Sequence, residues 1–141
     1  ACGLPQAHAA RETLEITLSQ PGAELTLFYT AFPTAIVRRT VLTNTGDKPL
    51  RLNKLMSSCV DLPGSYTMAT FNGGWIAEMR RCDTPVGASK VVNESLTGSS
   101  SNRHNPGFLL YEPGATEDAG TVYGFNLIYS GNHYAAAQQS P

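Results

Sequence analysis

Carboxylates, histidines and serines are the residues with chemistry to offer here, and their spacing decides which chemistry is open. A pair of Asp or Glu flanking a bond can do acid–base or glycosidic work. Glu12, Glu15 and Glu24 fall on the polar faces of alternating segments. Asp61 ends Ser-Cys-Val-Asp, Glu78 follows Trp75, and Glu117-Asp118 falls in a turn-like stretch. None stands in an acid–base signature, so each reads as structural. His8, His104 and His133 are widely separated and lack metal-ligand spacing. Ser100, His104 and Asp118 supply the residue types of a catalytic triad, without a Gly-x-Ser-x-Gly elbow. Gly73-Gly74 is followed by neither Lys-Ser nor Lys-Thr, which excludes a phosphate loop. One sugar-oriented group remains: Tyr66, Phe71, Trp75 and Arg80 in a single segment. Aromatic faces beside polar groups grip sugar rings, but the same aromatics can fill a core between two sheets.

The whole chain sets limits on these readings. Its 141 residues suit one domain with a core, and a formal net charge of −1 gives no electrostatic pull toward nucleic acid or an anionic membrane. No apolar run is long enough to cross a bilayer. Neither nucleic acid nor a membrane is therefore an expected partner. No metal or cofactor is expected either. The opening ACGLPQAHAARETLEI has no initiator Met and no signal-peptide pattern, so an internal cut and a cytoplasmic location are expected. Cys2, Cys59 and Cys82 show no zinc spacing and read as buried free thiols in a reducing compartment. Asn93-Glu94-Ser95 matches a glycosylation sequon, but nothing else points to secretion.

The elements that must position these residues are strands. ETLEITLSQ alternates through Leu14, Ile16 and Leu18, and AELTLFYTAF repeats the pattern after Pro21-Gly22. AIVRRTVLTN is β-branched and ends at the turn cluster Asn44-Thr45-Gly46-Asp47, which predicts an antiparallel meander. PLRLNKLMSSCVDLPG resumes an extended pattern. In SYTMATFNGGWIAEMRRCD the Gly pair predicts a bulge or a close backbone approach rather than a helix. GASKVVNES and GFLLYEP read as further strands. In GTVYGFNLIYSGN, Tyr123, Phe125, Leu127 and Tyr129 share one predicted face, and HYAAAQQSP reads as a strand end or frayed terminus. The hydroxyl-rich stretch SLTGSSSNRHNPG, Ser95 to Gly107, lies between apolar segments. The pattern as a whole predicts a β-sandwich or a large part of one.

Several of these segments, taken in order, resemble the N-terminal β-domain of family 36 glycoside hydrolases, the bacterial α-galactosidases. They are ETLEITL with LTLFYTAF, then IVRRTVLTNTGDKPLRLNKLMSSCVDLPG, FNGGWIAEMRRCDTPVGASKVVNES, SLTGSSSNRHNPGFLL and ATEDAGTVYGFNLIYSGNHYAA. In the polar stretch Ser95, Gly98, Ser100, Ser101, Asn105 and Pro106 match. Leu96 and Thr97 stand where the family has two Arg, Asn102 where it has His, and Gly107 where it has an aromatic.

The resemblance implies an all-β fold, an antiparallel β-sandwich of the supersandwich, galactose-mutarotase-like kind. Residues 1–141 would form that domain or a fragment of it. It also implies a parent that hydrolyses terminal α-galactosides of the melibiose or raffinose type with retention. The two catalytic Asp of that reaction would stand on a (β/α)8 barrel outside this chain, a fold that needs about 250 residues. The expected partners are an α-galactoside reached through the parent's barrel and further copies of a homo-oligomeric parent. No catalytic residue is assigned. The binding or interface candidates are Tyr66, Trp75, Glu78, Arg80, His104 and Asn105. The polar stretch is expected to be an ordered loop near a domain interface, with His104 facing the barrel. The alternative is a stand-alone carbohydrate-binding sandwich gripping sugar through Trp75, Tyr66 and Arg80.

Overall fold

A computed structural model describes residues 6–10 and 12–140, with side chains from Glu12 to Ser140. Ten strands and no helix occur among the described residues, and every strand pair is antiparallel. The all-β antiparallel expectation holds. The chain divides into two compact units, Ala1–Asp61 and Leu62–Pro141.

The first unit is the predicted meander. Strands β1 (Gln6–Ala10), β2 (Thr13–Gln20), β3 (Ala23–Ala31) and β4 (Ile36–Asn44) lie in chain order in one sheet. Gln20 pairs with Ala23, which leaves a two-residue turn of Pro21 and Gly22 with Gly22 at φ 85°. Proline presets the first position of a type II turn, and the second needs the positive φ that glycine supplies. Register then places Leu14 opposite Tyr29, Ile16 opposite Leu27 and Leu18 opposite Leu25. The Arg38-Arg39 pair is absorbed by aromatic partners across the ladder. Arg38 lies 5.0 Å from the Tyr29 ring centre and Arg39 4.2 Å from that of Phe28. Asn44 closes the sheet with an Asx turn, its Oδ1 accepting from the Gly46 N–H at 3.0 Å.

One expectation fails in this unit. The stretch from Pro49 to Asp61 forms no strand. Leu50 and Leu52 alternate, but Leu55-Met56 breaks the period and no described strand offers the stretch a ladder. It is tethered instead by Arg38 Nη1, which donates to the Ser57 carbonyl. Leu50, Leu52, Leu55, Met56 and Val60 are exposed along it.

The second unit packs two sheets face to face. Strands β5 (Thr67–Gly74), β6 (Ala77–Pro85), β8 (His104–Tyr111) and β9 (Val122–Phe125) form one sheet in the order β6-β5-β8-β9. Strands β7 (Val91–Ser95) and β10 (His133–Ala137) form the other. Tyr66, Met68 and Leu110 are the buried apolar centre, with Phe108 and Phe125 from the larger sheet and Val91 and Ala137 from the smaller one packed on it. Phe108 and Phe125 stack at 4.9 Å, and Tyr66 meets Tyr123 edge-on at 5.9 Å. Burying Met68 completely contributes about 1.5–3 kcal/mol.

Three readings are corrected here, the last of them in both units. HYAAA does not fray: it is β10, held by five paired positions along β7. β9 ends at Phe125, so Leu127 and Tyr129 do not continue the face of Tyr123 and Phe125. Cys59 and Cys82 are free but exposed, against the expectation of burial, and Cys2 lies outside the described residues. Cys82 surfaces because β6 is a sheet edge whose residues are nearly all exposed.

Candidate functional site

The predicted site residues fall mostly at one end of the larger sheet, around Asn72. Here β5 reverses into β6 through a bulge between Asn72 and Gly74, with Gly74 paired to Ala77. The Gly pair therefore gives both predicted features. A Cβ on Gly73 would lie 2.1 Å from the Ala77 carbonyl oxygen and 2.9 Å from Glu78 Cα. The turn itself is made by Trp75 and Ile76, neither a common turn residue. Ile76 has φ 65° and Met79 φ 56°. A β-branched residue in that region is strained, at a cost on the order of 1–3 kcal/mol. Trp75 and Ile76 are each 85% exposed, so the tip holds two large apolar side chains in water.

The polar loop steadies this tip. The Asn102 carbonyl accepts from the Met79 N–H at 3.3 Å, and the Arg103 carbonyl from the Gly73 N–H at 3.2 Å. Asn105 Nδ2 reaches Met79 Sδ at 3.1 Å. The loop is fixed in turn by its own hydroxyls. Ser95 Oγ donates to the Ser99 carbonyl at 2.6 Å, and Ser100 Oγ to the Tyr129 carbonyl at 3.0 Å. Gly98 takes φ 85° and donates its N–H to Asn132 Oδ1 at 2.7 Å. The loop is shorter than its composition suggested, because β8 begins at His104.

Each candidate can now be placed. Trp75 is the tip. Glu78 is exposed, and its Oε1 accepts from the Ile76 N–H at 3.3 Å, so its carboxylate supports the strained turn. Arg80 and His104 pair with Asn72 from either side, Arg80 exposed and His104 half-buried. Asn105 folds its Oδ1 back onto the Gly107 N–H at 2.7 Å. Tyr66 does not join them. It lies beyond the opposite end of β5, about 25 Å away at strand rise, buried, with its hydroxyl on the Pro63 carbonyl at 2.6 Å. Burial in that core raises the Tyr66 hydroxyl above its ordinary pKa. A grip made jointly by Trp75, Tyr66 and Arg80 is therefore not formed within this chain.

The paper triad is not assembled either. Ser100 Oγ is engaged with Tyr129 rather than His104, and Asp118 is exposed in a turn closed by Thr116. Among the described residues no group of three or more His, Cys, Asp and Glu is arranged to hold a metal ion. The sequon asparagine, Asn93, is buried and donates through Nδ2 to the Asn105 carbonyl at 2.9 Å, which removes it as a glycan acceptor.

Residue-type reasoning missed the inner face of β7 and β10. Asn93, Ser95 and His133 are all buried there. Their signal was the alternation of His133, Ala135 and Ala137, which is too weakly apolar to announce a strand.

These features define a β-sandwich unit with an internally satisfied loop and an apolar, strained hairpin presented outward. All of residues 1–141 match the Glycosyl hydrolase family 36 N-terminal domain, and the chain belongs to that family. It is 33% identical over 145 residues to the bifunctional alpha-galactosidase/sucrose kinase AgaSK of Mediterraneibacter gnavus, covering 97% of this chain and 16% of that protein. Alpha-galactosidase AgaA of Geobacillus stearothermophilus is 36% identical over 142 residues, covering 94% of this chain and 20% of that protein. The solved galactosidase domain of AgaSK superposes with a TM-score of 0.84 at 32% identity, over 97% of this chain and 20% of that one. An AgaA variant in complex with stachyose superposes with a TM-score of 0.82 at 35% identity, over 96% of this chain and 20% of that one. The chain thus spans one-fifth or less of the length of these relatives.

Proposed function

We propose that this chain is the non-catalytic N-terminal β-domain of an α-galactosidase, and that its β5–β6 hairpin docks on the rest of the parent near the mouth of the active site. The parent would hydrolyse terminal α-galactosides of the raffinose or melibiose type. Relatives support the substrate class, since AgaA variants are known in complex with raffinose and with stachyose. The observation that carries the docking role is the tip itself. Trp75 and Ile76 are held out by a backbone that is strained to do so, and apolar area of that kind is stabilised by being covered. Glu78, Arg80 and His104 would supply the polar rim of that contact. A homo-oligomeric parent fits the same reading, with the tip at a contact between copies. Free Cys59 and Cys82 accord with a cytoplasmic, reducing location.

The test is Trp75→Ala in the parent protein. Hydrolysis of an aryl α-galactoside by the parent should fall several-fold, whereas the same substitution in the 141-residue chain alone, where Trp75 is exposed, should change stability by no more than about 0.5 kcal/mol. Unchanged hydrolysis contradicts the docking role. The competing carbohydrate-module reading is addressed with the single Trp as reporter. Galactose or raffinose titrated onto the 141-residue chain should leave Trp75 emission unchanged, and a saturable change would favour direct sugar binding.

A further inference from the structure

His133 is 4% exposed, and neither its Nδ1 nor its Nε2 has a hydrogen-bond partner. It begins β10 opposite Ser95 and faces inward with Asn93, which is 2% exposed and whose Oδ1 is likewise unpartnered. Polar groups in such surroundings are costly to bury, and a charged one far more so. A neutral imidazole is tolerable there. An imidazolium has two N–H groups to place, and no protein acceptor is set against either nitrogen.

The charged and titratable neighbours agree. The titratable groups of β8, packed beneath, are His104 and Tyr111, and that of the paired strand β7 is Glu94. Burial lowers the basicity of His133 first, the nearby His104 ring lowers it further, and Glu94 alone acts in the opposite direction. Glu94 points to the exposed side of β7, where water weakens its pull.

What His133 holds closed follows from its position. The preceding residue, Asn132, accepts from the Gly98 N–H, and Ser130 and Tyr129 accept from Ser100. The loop so fixed is the one whose Asn102 and Arg103 carbonyls hold the β5–β6 hairpin.

We propose that His133 is an acid-sensitive latch: neutral, it lets the β7–β10 sheet lie closed against β8, and its protonation opens that sheet and loosens the loop beneath the hairpin. Any consequence for docking rests on the function proposed above, whereas the latch itself does not. The sign follows from linkage. A histidine whose folded pKa lies below its unfolded value of about 6.5 stabilises the closed form fully above that pH. The contribution is lost as pH falls through the lower folded value.

Amide hydrogen exchange on the 141-residue chain tests this, read as protection of Val91–Ser95 and His133–Ala137 relative to Met68–Thr70. Between pH 7.5 and pH 5 the ratio should drop several-fold, bounded at about thirtyfold by the ordinary histidine pKa. His133→Gln, polar but unable to titrate, should abolish the drop, and His104→Gln should reduce it. A pH-independent ratio in the unsubstituted chain, or a drop that survives His133→Gln, overturns the proposal. Should His133→Gln fail to fold, the His133 ring is titrated by NMR in the unsubstituted chain. A midpoint below 6.5 supports the latch, and one at or above it overturns the latch.

Discussion

Gly73→Ala is expected to destabilise the second unit by about 3 kcal/mol, at the upper end of ordinary overpacking effects. The added Cβ would meet backbone: the Ala77 carbonyl oxygen at 2.1 Å, Glu78 Cα at 2.9 Å and the Ala77 carbonyl carbon at 3.0 Å. A flexible side chain could swing aside at little cost, but here the two arms of the hairpin must separate. Separation breaks the Gly73 N–H bond to the Arg103 carbonyl, one of the two backbone bonds that join the loop to the hairpin. A fall in melting temperature of about 10 °C should accompany the loss. Gly74 provides the control. Nothing lies within 4 Å of a Cβ there, and its φ is not positive. Gly74→Ala should therefore stay within about 0.5 kcal/mol of the unsubstituted chain. Equal stability of the two variants in urea titrations would refute the close approach.

Met68→Ala is expected to cost about 3–4 kcal/mol, within the range for emptying a buried site of that size. Met68 has no exposed surface, and it sits between Tyr66 and Leu110 with atoms of both sheets around it. Its removal loses transfer free energy and also leaves a cavity, which a sheet-on-sheet interface closes poorly. Met56 is 61% exposed in the first unit, so Met56→Ala should be neutral to within about 0.5 kcal/mol. The urea midpoints of the two variants decide the matter. A mild Met68→Ala would mean that the two sheets of the second unit are not packed on each other through this residue.

Much of the fold was legible in the residues, and the reason differs from one element to the next. β2 and β3 announce themselves through apolar residues at every second position and β4 through its β-branched run, although Leu14, Ile36, Val37 and Leu42 stay exposed, and Pro21-Gly22 and Asn44 to Asp47 are turn formers by backbone geometry. Pro49 to Asp61 was misread because alternation at Leu50 and Leu52 states only that a strand is locally acceptable. A strand also needs a neighbour, and pattern does not report one. The β5–β6 reversal was half seen. Gly73-Gly74 signalled an irregularity, but a turn built on Trp75 and Ile76 violates turn preference, and such violations gather at surfaces with work to do.

The site was legible to the same partial degree. Trp75, Glu78, Arg80, His104 and Asn105 share one chain region or the family's polar loop, so picking them together required no knowledge of distant pairing. Tyr66 was grouped with Trp75 by chain proximity, although an extended strand carries its two ends far apart. His133 and Asn93 could not be recognised as buried at all. Their burial follows from β10 pairing with β7 across nearly forty residues of chain, and a run of alanines gives that pairing almost no signature. The expectation of an ordered loop holds, with Ser95, Gly98 and Ser100 fixing it by hydrogen bonds. Ser95 Oγ and Ser100 Oγ donate to the Ser99 and Tyr129 carbonyls, so they hold the loop, and the Ser100–His104 pairing that the residue types offered is not made.

On the function proposed above, this chain shapes and supports a glycosidase whose catalytic residues lie outside it. The most direct measurement is release of phenol from an aryl α-galactoside, comparing the purified 141-residue chain with a parent protein that carries it. The parent should turn over, and the chain alone should give no rate above buffer at any concentration tested. Turnover by the isolated chain that scales with its concentration and survives repeated purification would contradict the account.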